Sequence, residues 1–205
     1  MQELRPWIGK PPISIPPDIP GYRLVRGENI NIFRASILGI LLVPVWWILF
    51  LVVVPILSGV DELNGTISIV NILTVISFIL VVVVVHELLH GLAILGSGHL
   101  PSFGAGPGFF YTTCHEPLSR NAYILVVLLP LLAINLGSIA VAGIWPGAMG
   151  WALVISIMNT MGAGGDIWMF IRLLRVPRSA LIVDMASGYA VYEPDQATTA
   201  SPVEP

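Results

Sequence analysis

Two histidines four residues apart bracket a glutamate in the run His86-Glu87-Leu88-Leu89-His90. On a helix, positions i and i+4 share one face a turn apart, so both imidazoles can bind a single Zn²⁺. The intervening Glu87 then stands as general base toward a zinc-activated water. The motif follows Ile79-Leu80-Val81-Val82-Val83-Val84-Val85, a stretch suited to hydrocarbon. Ionisable groups in a membrane segment are costly and mark functional sites by default. A single membrane histidine is commonly a packing or hydrogen-bonding residue. The paired spacing with Glu87 is much rarer, and it takes two of the chain's four histidines. The pattern predicts zinc hydrolase chemistry placed inside a bilayer.

The elements that must carry this motif are membrane helices. Hydrophobic residues make up 56% of the 205-residue chain and charged residues 10%, and the mean hydropathy is +0.88. Such a composition excludes an ordinary soluble domain. Four segments are long and apolar enough to span about 30 Å of hydrocarbon, which takes roughly 20 residues: Ala35–Ser58, Ile67–Leu95, Asn121–Ile144 and Met149–Arg175. The fold class expected is all-α, a four-transmembrane-helix bundle with a short interfacial hairpin or loop between helices 2 and 3. In domain terms, residues 1–34 form a proline-rich arm and 35–178 the membrane metalloprotease-like domain. Residues 179–205 form a C-terminal hairpin and a disordered tail.

Charge distribution sets the expected topology. Arg5, Lys10, Arg23, Arg26 and Arg34 precede the first span, and Arg120 lies between the second and third. Arg172, Arg175 and Arg178 lie at or after the end of the fourth. Four spans with both termini cytoplasmic satisfy the positive-inside rule throughout. The arm shows no secretory signal, so the first span is expected to be retained and to direct insertion. Compactness and resemblance favour a prokaryotic plasma membrane.

Pro6, Pro11, Pro12, Pro16, Pro17 and Pro20 make the arm extended. Its Trp7 and Tyr22 suit the membrane interface, and an SH3-ligand reading lacks a clean PxxP register. The longest internal loop, Gly96–Arg120, centres on Phe103-Gly104-Ala105-Gly106-Pro107-Gly108-Phe109-Phe110-Tyr111. It reads as a hairpin or re-entrant element, or as an interfacial aromatic loop, and its glycines match no phosphate-binding pattern. Ala180–Val183 and Tyr189–Tyr192 are β-favouring runs around Met185-Ala186-Ser187-Gly188, consistent with a small hairpin. The single cysteine, Cys114, excludes an internal disulfide and a CxxC metal knuckle.

A catalytic zinc takes three protein ligands and leaves a position for water. The candidates for the third are Asp166, His99, His115, Glu116, Asp61 and Glu62. Spans two and four run in the same direction, so His86 and Asp166 lie at matching depth, each nine residues from its span's end. Asp61 and Glu62 fall on the opposite side. Gly162-Ala163-Gly164-Gly165 would let span four approach span two closely. Asp166 is therefore expected to complete the site, with His115-Glu116 as the runner-up pair on a folded-in loop. Asn159, two turns before Asp166 on about the same face, reads either as an oxyanion donor or as a helix–helix hydrogen bond.

On these residues the chain resembles the site-2-protease-like intramembrane metalloproteases, and more closely the small zincin peptidases of the DUF3267 group. The resemblance covers about Ile67 to Glu193. It rests on His86-Glu87-Leu88-Leu89-His90-Gly91, the Gly-rich loop before Pro117-Leu118-Ser119-Arg120, Pro130, Asn159 through Gly164-Gly165-Asp166, Val176-Pro177 through Asp184, and Gly188-Tyr189. It implies that His86, His90 and Asp166 bind zinc and that Glu87 is the catalytic base. Site-2 proteases usually carry an Asp-Gly pair after a proline-containing stretch. Here Ile167 follows Asp166 and glycines precede it, and no appended PDZ or CBS domain is expected. The expected partners are the lipid bilayer and a membrane-protein or peptide substrate, with no nucleic acid. The rival reading is a non-catalytic metal-binding membrane protein or a transporter-like bundle.

Overall fold

The computed structural model describes residues 12–59, 72–106, 109–186 and 188–195. Asp61, Glu62, Trp7 and the expected disordered tail Gln196–Pro205 lie outside them. In chain order the elements are β1 (Tyr22–Asn29), α1 (Ile32–Ser58), α2 (Ile72–Gly96), β2 (Pro101–Gly106), β3 (Phe109–Cys114), β4 (Leu118–Ser119) and α3 (Arg120–Ile144). A 3-10 turn at Pro146–Ala148 follows, then α4 (Met149–Gly162), α5 (Gly164–Leu173), β5 (Leu181–Met185) and β6 (Gly188–Pro194). Two compact units result. One takes Asn31–His90 and Val127–Trp168; the other takes Met1–Ile30, Gly91–Val126 and Met169–Pro205.

The expected all-α four-helix bundle is therefore wrong on two counts. Among the described residues, six strands form two antiparallel sheets, and three helices rather than four are, unbroken, long and apolar enough to cross a membrane. The segment expected as a fourth span breaks into Pro146–Gly162 and Gly164–Leu173, bent by 55°. Local sequence accounts for the break: each glycine in Gly162-Ala163-Gly164-Gly165 weakens a helix by about 1 kcal/mol relative to alanine. Ala163 leaves helical geometry at ψ 8°.

In the helical unit, α1 starts at Asn31, whose side chain accepts from the Arg34 backbone N–H at 3.1 Å. It closes at Gly59 in the left-handed region, φ 66°. Ile40, Leu41, Ile48 and Ile56 on α1 are more than half exposed. An apolar face that large would aggregate in water but suits lipid. The core joins Trp46, Phe50 and Val54 of α1 to Leu131 and Ile139 of α3, Ala152 of α4 and Ile167 of α5.

Backbones meet where α1 passes the break between α4 and α5. A Cβ at Gly164 would sit 2.0 Å from the Ala35 carbonyl oxygen, and one at Gly39 would sit 2.6 Å from the Met161 carbonyl oxygen. Neither neighbour is a side chain that can swing away. Gly164→Ala is expected to destabilise the protein by roughly 1–3 kcal/mol through overpacking. A lowered thermal midpoint in detergent checks this, and an unchanged midpoint would contradict the close approach.

The other unit holds the sheets. Its four-stranded sheet runs β1-β6-β5-β4, all antiparallel. The expected C-terminal hairpin is present as β5–β6, with Met185 opposite Gly188. The described part of the arm is paired: β1 forms an edge strand on β6, with a bulge between Leu24 and Arg26. The SH3-ligand reading is not needed, because Ile13 and Ile19 pack on Val183, Ala190 and Tyr192, and the Tyr192 hydroxyl donates to the Pro17 carbonyl at 2.6 Å. The loop between α2 and α3 is a β2–β3 hairpin. The tip of the Phe103 ring packs directly over Gly91, next to the motif, so a side chain at that position would have to displace the ring.

Candidate metal centre

The centre lies entirely within the helical unit. Phe78 of α2 stacks on Trp151 of α4 with ring centroids 4.5 Å apart. Eight residues further along each helix, His86 Nδ1 lies 2.9 Å from Asn159 Oδ1. Equal steps along both chains mean that α2 and α4 run the same way, side by side, over about 12 Å.

The bend then brings in the carboxylate. A straight helix would carry Asp166 about 10 Å beyond Asn159, whereas His90 is only about 6 Å beyond His86. The 55° turn at Ala163 shortens that reach. Asp166 falls in the first turn of α5, where the helix dipole favours an anion. Its Oδ2 lies 3.1 Å from His86 Nε2 and 3.6 Å from His90 Nε2. The two imidazoles stand edge to face at 76°. All three side chains are only 10–12% exposed.

Among the described residues, His86, His90 and Asp166 are the group of three whose ligand atoms could hold a metal, all within 4.8 Å of one another. Ligands 2.0–2.1 Å from one tetrahedral zinc stand about 3.4 Å apart, close to the two Asp166 separations. One carboxylate and two imidazoles are also the donor types this ion takes at hydrolytic sites. The residues fit zinc.

Glu87 is outside this triplet. With His86, Asn159, Val82, Val83, Met158 and Gly162 it lines a cavity of about 140 Å³. The space is large enough for several waters, and three of its lining residues are polar. The runner-up pair is not in the triplet. Glu116 is 64% exposed on its side chain and lies 3.9 Å from His99 Nε2, and His99 also contacts Ser97. Burial pushes the Cys114 thiol up to about 11, so it stays protonated at neutral pH and supplies no nucleophile.

Sequence reasoning overlooked the residues behind Asn159. Asn135 of α3 and Ser156 and Thr160 of α4 are at most 1% exposed and form a polar cluster with Asn159 and Trp46 of α1. The signal was present: these are polar side chains in otherwise apolar helices, which turn toward the bundle interior.

The family model for DUF3267, described as "Putative zincin peptidase", matches residues 79–181, which run from the α2 segment before the motif to the start of β5. No curated protein and no solved structure matches the chain.

Proposed function

The chain belongs to the DUF3267 family of zincin peptidases, with zinc as the cofactor the family implies, and on that premise we propose that it is an intramembrane endopeptidase. In this reading it hydrolyses peptide bonds of membrane-associated substrates within or near the cytoplasmic half of the bilayer. The observation that carries it is the meeting of His86, His90 and Asp166 in a unit whose α1, and the helices α2 and α3, are long and apolar enough to cross a membrane. Glu87 is about 13 Å from the Gly96 end of α2, deep enough to require a substrate that enters lipid.

His86, His90 and Asp166 would hold the zinc. Bound there, zinc supplies Lewis acidity, polarising the scissile carbonyl and bringing the pKa of a water toward about 7. The Glu87 carboxylate would accept one proton from the attacking water as the water oxygen bonds to the carbonyl carbon. It then passes the proton to the amide nitrogen as the C–N bond breaks, so the base is regenerated. The cavity beside Glu87 provides room for water next to the base. That three protein ligands rather than four converge among the described residues also favours a catalytic over a structural metal. Counting the bent α4–α5 pair as one span gives four among the described residues, a number with which the arginine distribution supports cytoplasmic termini.

The test uses purified protein in detergent micelles with two peptide pools, one of transmembrane segments and one of soluble sequences. Cleavage of the transmembrane pool, abolished by 1,10-phenanthroline and restored by zinc, is the expected result. Cleavage of soluble peptides alone would overturn the intramembrane assignment. Zinc binding without turnover of either pool would favour the non-catalytic rival.

A further inference from the structure

The buried amide of Asn159 does more than join two helices. We infer that Asn159 is a positioning residue: its side-chain oxygen holds the Nδ1–H of His86 and thereby presents Nε2 to the metal. This rests on the reading of His86 as a ligand. An imidazole that binds zinc through Nε2 must be unprotonated there and so carries its hydrogen on Nδ1. Only an acceptor can face that hydrogen, and Asn159 Oδ1 stands 2.9 Å from it.

The amide is held in this orientation from behind. Its Nδ2 faces the Pro130 carbonyl at 3.4 Å and the Leu131 carbonyl at 3.5 Å, and lies 3.2 Å from the Asn135 carboxamide. Turning the amide over would set its oxygen against two carbonyl oxygens. Asn135 is itself anchored, its Nδ2 donating to Thr160 Oγ1 at 2.8 Å. The Thr160 hydroxyl donates to the Ser156 carbonyl at 2.8 Å. Thus α3 and α4 both contribute to fixing one histidine rotamer. The same geometry argues against the oxyanion reading, because the donor an oxyanion would need already points at α3.

The experiment measures zinc dissociation constants by chelator competition for wild type, Asn159→Leu, Asn159→Asp and His86→Ala in detergent. Melting of the metal-free proteins serves as a folding control. Asn159→Leu removes the acceptor at similar volume and should weaken zinc binding about 10–100-fold, the usual cost of losing such an outer partner. Asn159→Asp keeps an oxygen toward His86 but sets its other oxygen against the Pro130 and Leu131 carbonyls. It should recover only part of the affinity lost in Asn159→Leu, a recovery that a merely structural role would not produce. A ¹⁵N-histidine spectrum of zinc-loaded wild type needs no variant to fold, and should show His86 protonated at Nδ1. Protonation at Nε2 instead, or wild-type affinity in Asn159→Leu, would overturn the inference. Unchanged zinc binding in His86→Ala would remove the ligand reading beneath it.

Discussion

Glu87→Ala is expected to abolish peptide cleavage while zinc content stays near native. Glu87 follows His86 directly on α2, yet it is not among the three residues whose ligand atoms converge. It lines the cavity of about 140 Å³ beside His86 and Asn159 instead. Truncating it should leave the ligand set intact and remove the group that takes the proton from water. Positioned general bases contribute about 10²–10⁴-fold, so residual turnover should fall by at least the lower figure. Metal analysis and turnover measured on the same preparation separate the two effects. Cleavage at the wild-type rate would refute the assigned base. Loss of zinc along with activity would instead make Glu87 a ligand or a structural residue.

Asp166→Ala should have the complementary outcome, loss of both metal and activity. Its carboxylate lies 3.1 and 3.6 Å from the two Nε2 atoms, and without it two imidazoles remain where a catalytic zinc takes three protein ligands. Stoichiometric zinc in the purified wild type should fall to near zero in Asp166→Ala. His115→Ala and Glu116→Ala should keep their metal. The reverse pattern, with His115 or Glu116 indispensable and Asp166 dispensable, would transfer the third ligand to the loop after β3. The Asp166 result also bears on the bend, since the carboxylate reaches both imidazoles only because α5 departs from α4 at Ala163.

The parts legible in the chain were those written in short, local patterns. His86 and His90 share a helix face because four residues make about one helical turn. The polyvaline run before them and three of the four apolar segments are long helices for the same reason that they are apolar. The β5–β6 hairpin was marked by β-favouring runs around a turn. β1 was harder to see, because Tyr22–Asn29 mixes two arginines, a glutamate and a glycine and a bulge interrupts its register. Its pairing with β6 joins residues more than 150 positions apart, and nothing in eight local residues encodes that partner.

From residue types and spacing alone came the histidine pair, its adjacent base, the apolar medium around them and Asp166 as a candidate ligand at matching depth. Only the folded chain decided that a carboxylate seven residues past Asn159 can return to the level of His86. That depends on a 55° bend, which three glycines permit and the backbone of α1, pressed against the break, accommodates. It also decided that Asn159 turns its oxygen to an imidazole and its nitrogen to α3. Helix propensity acts along the chain within a few residues, whereas the direction of a bend or an amide is set by what packs against it from elsewhere.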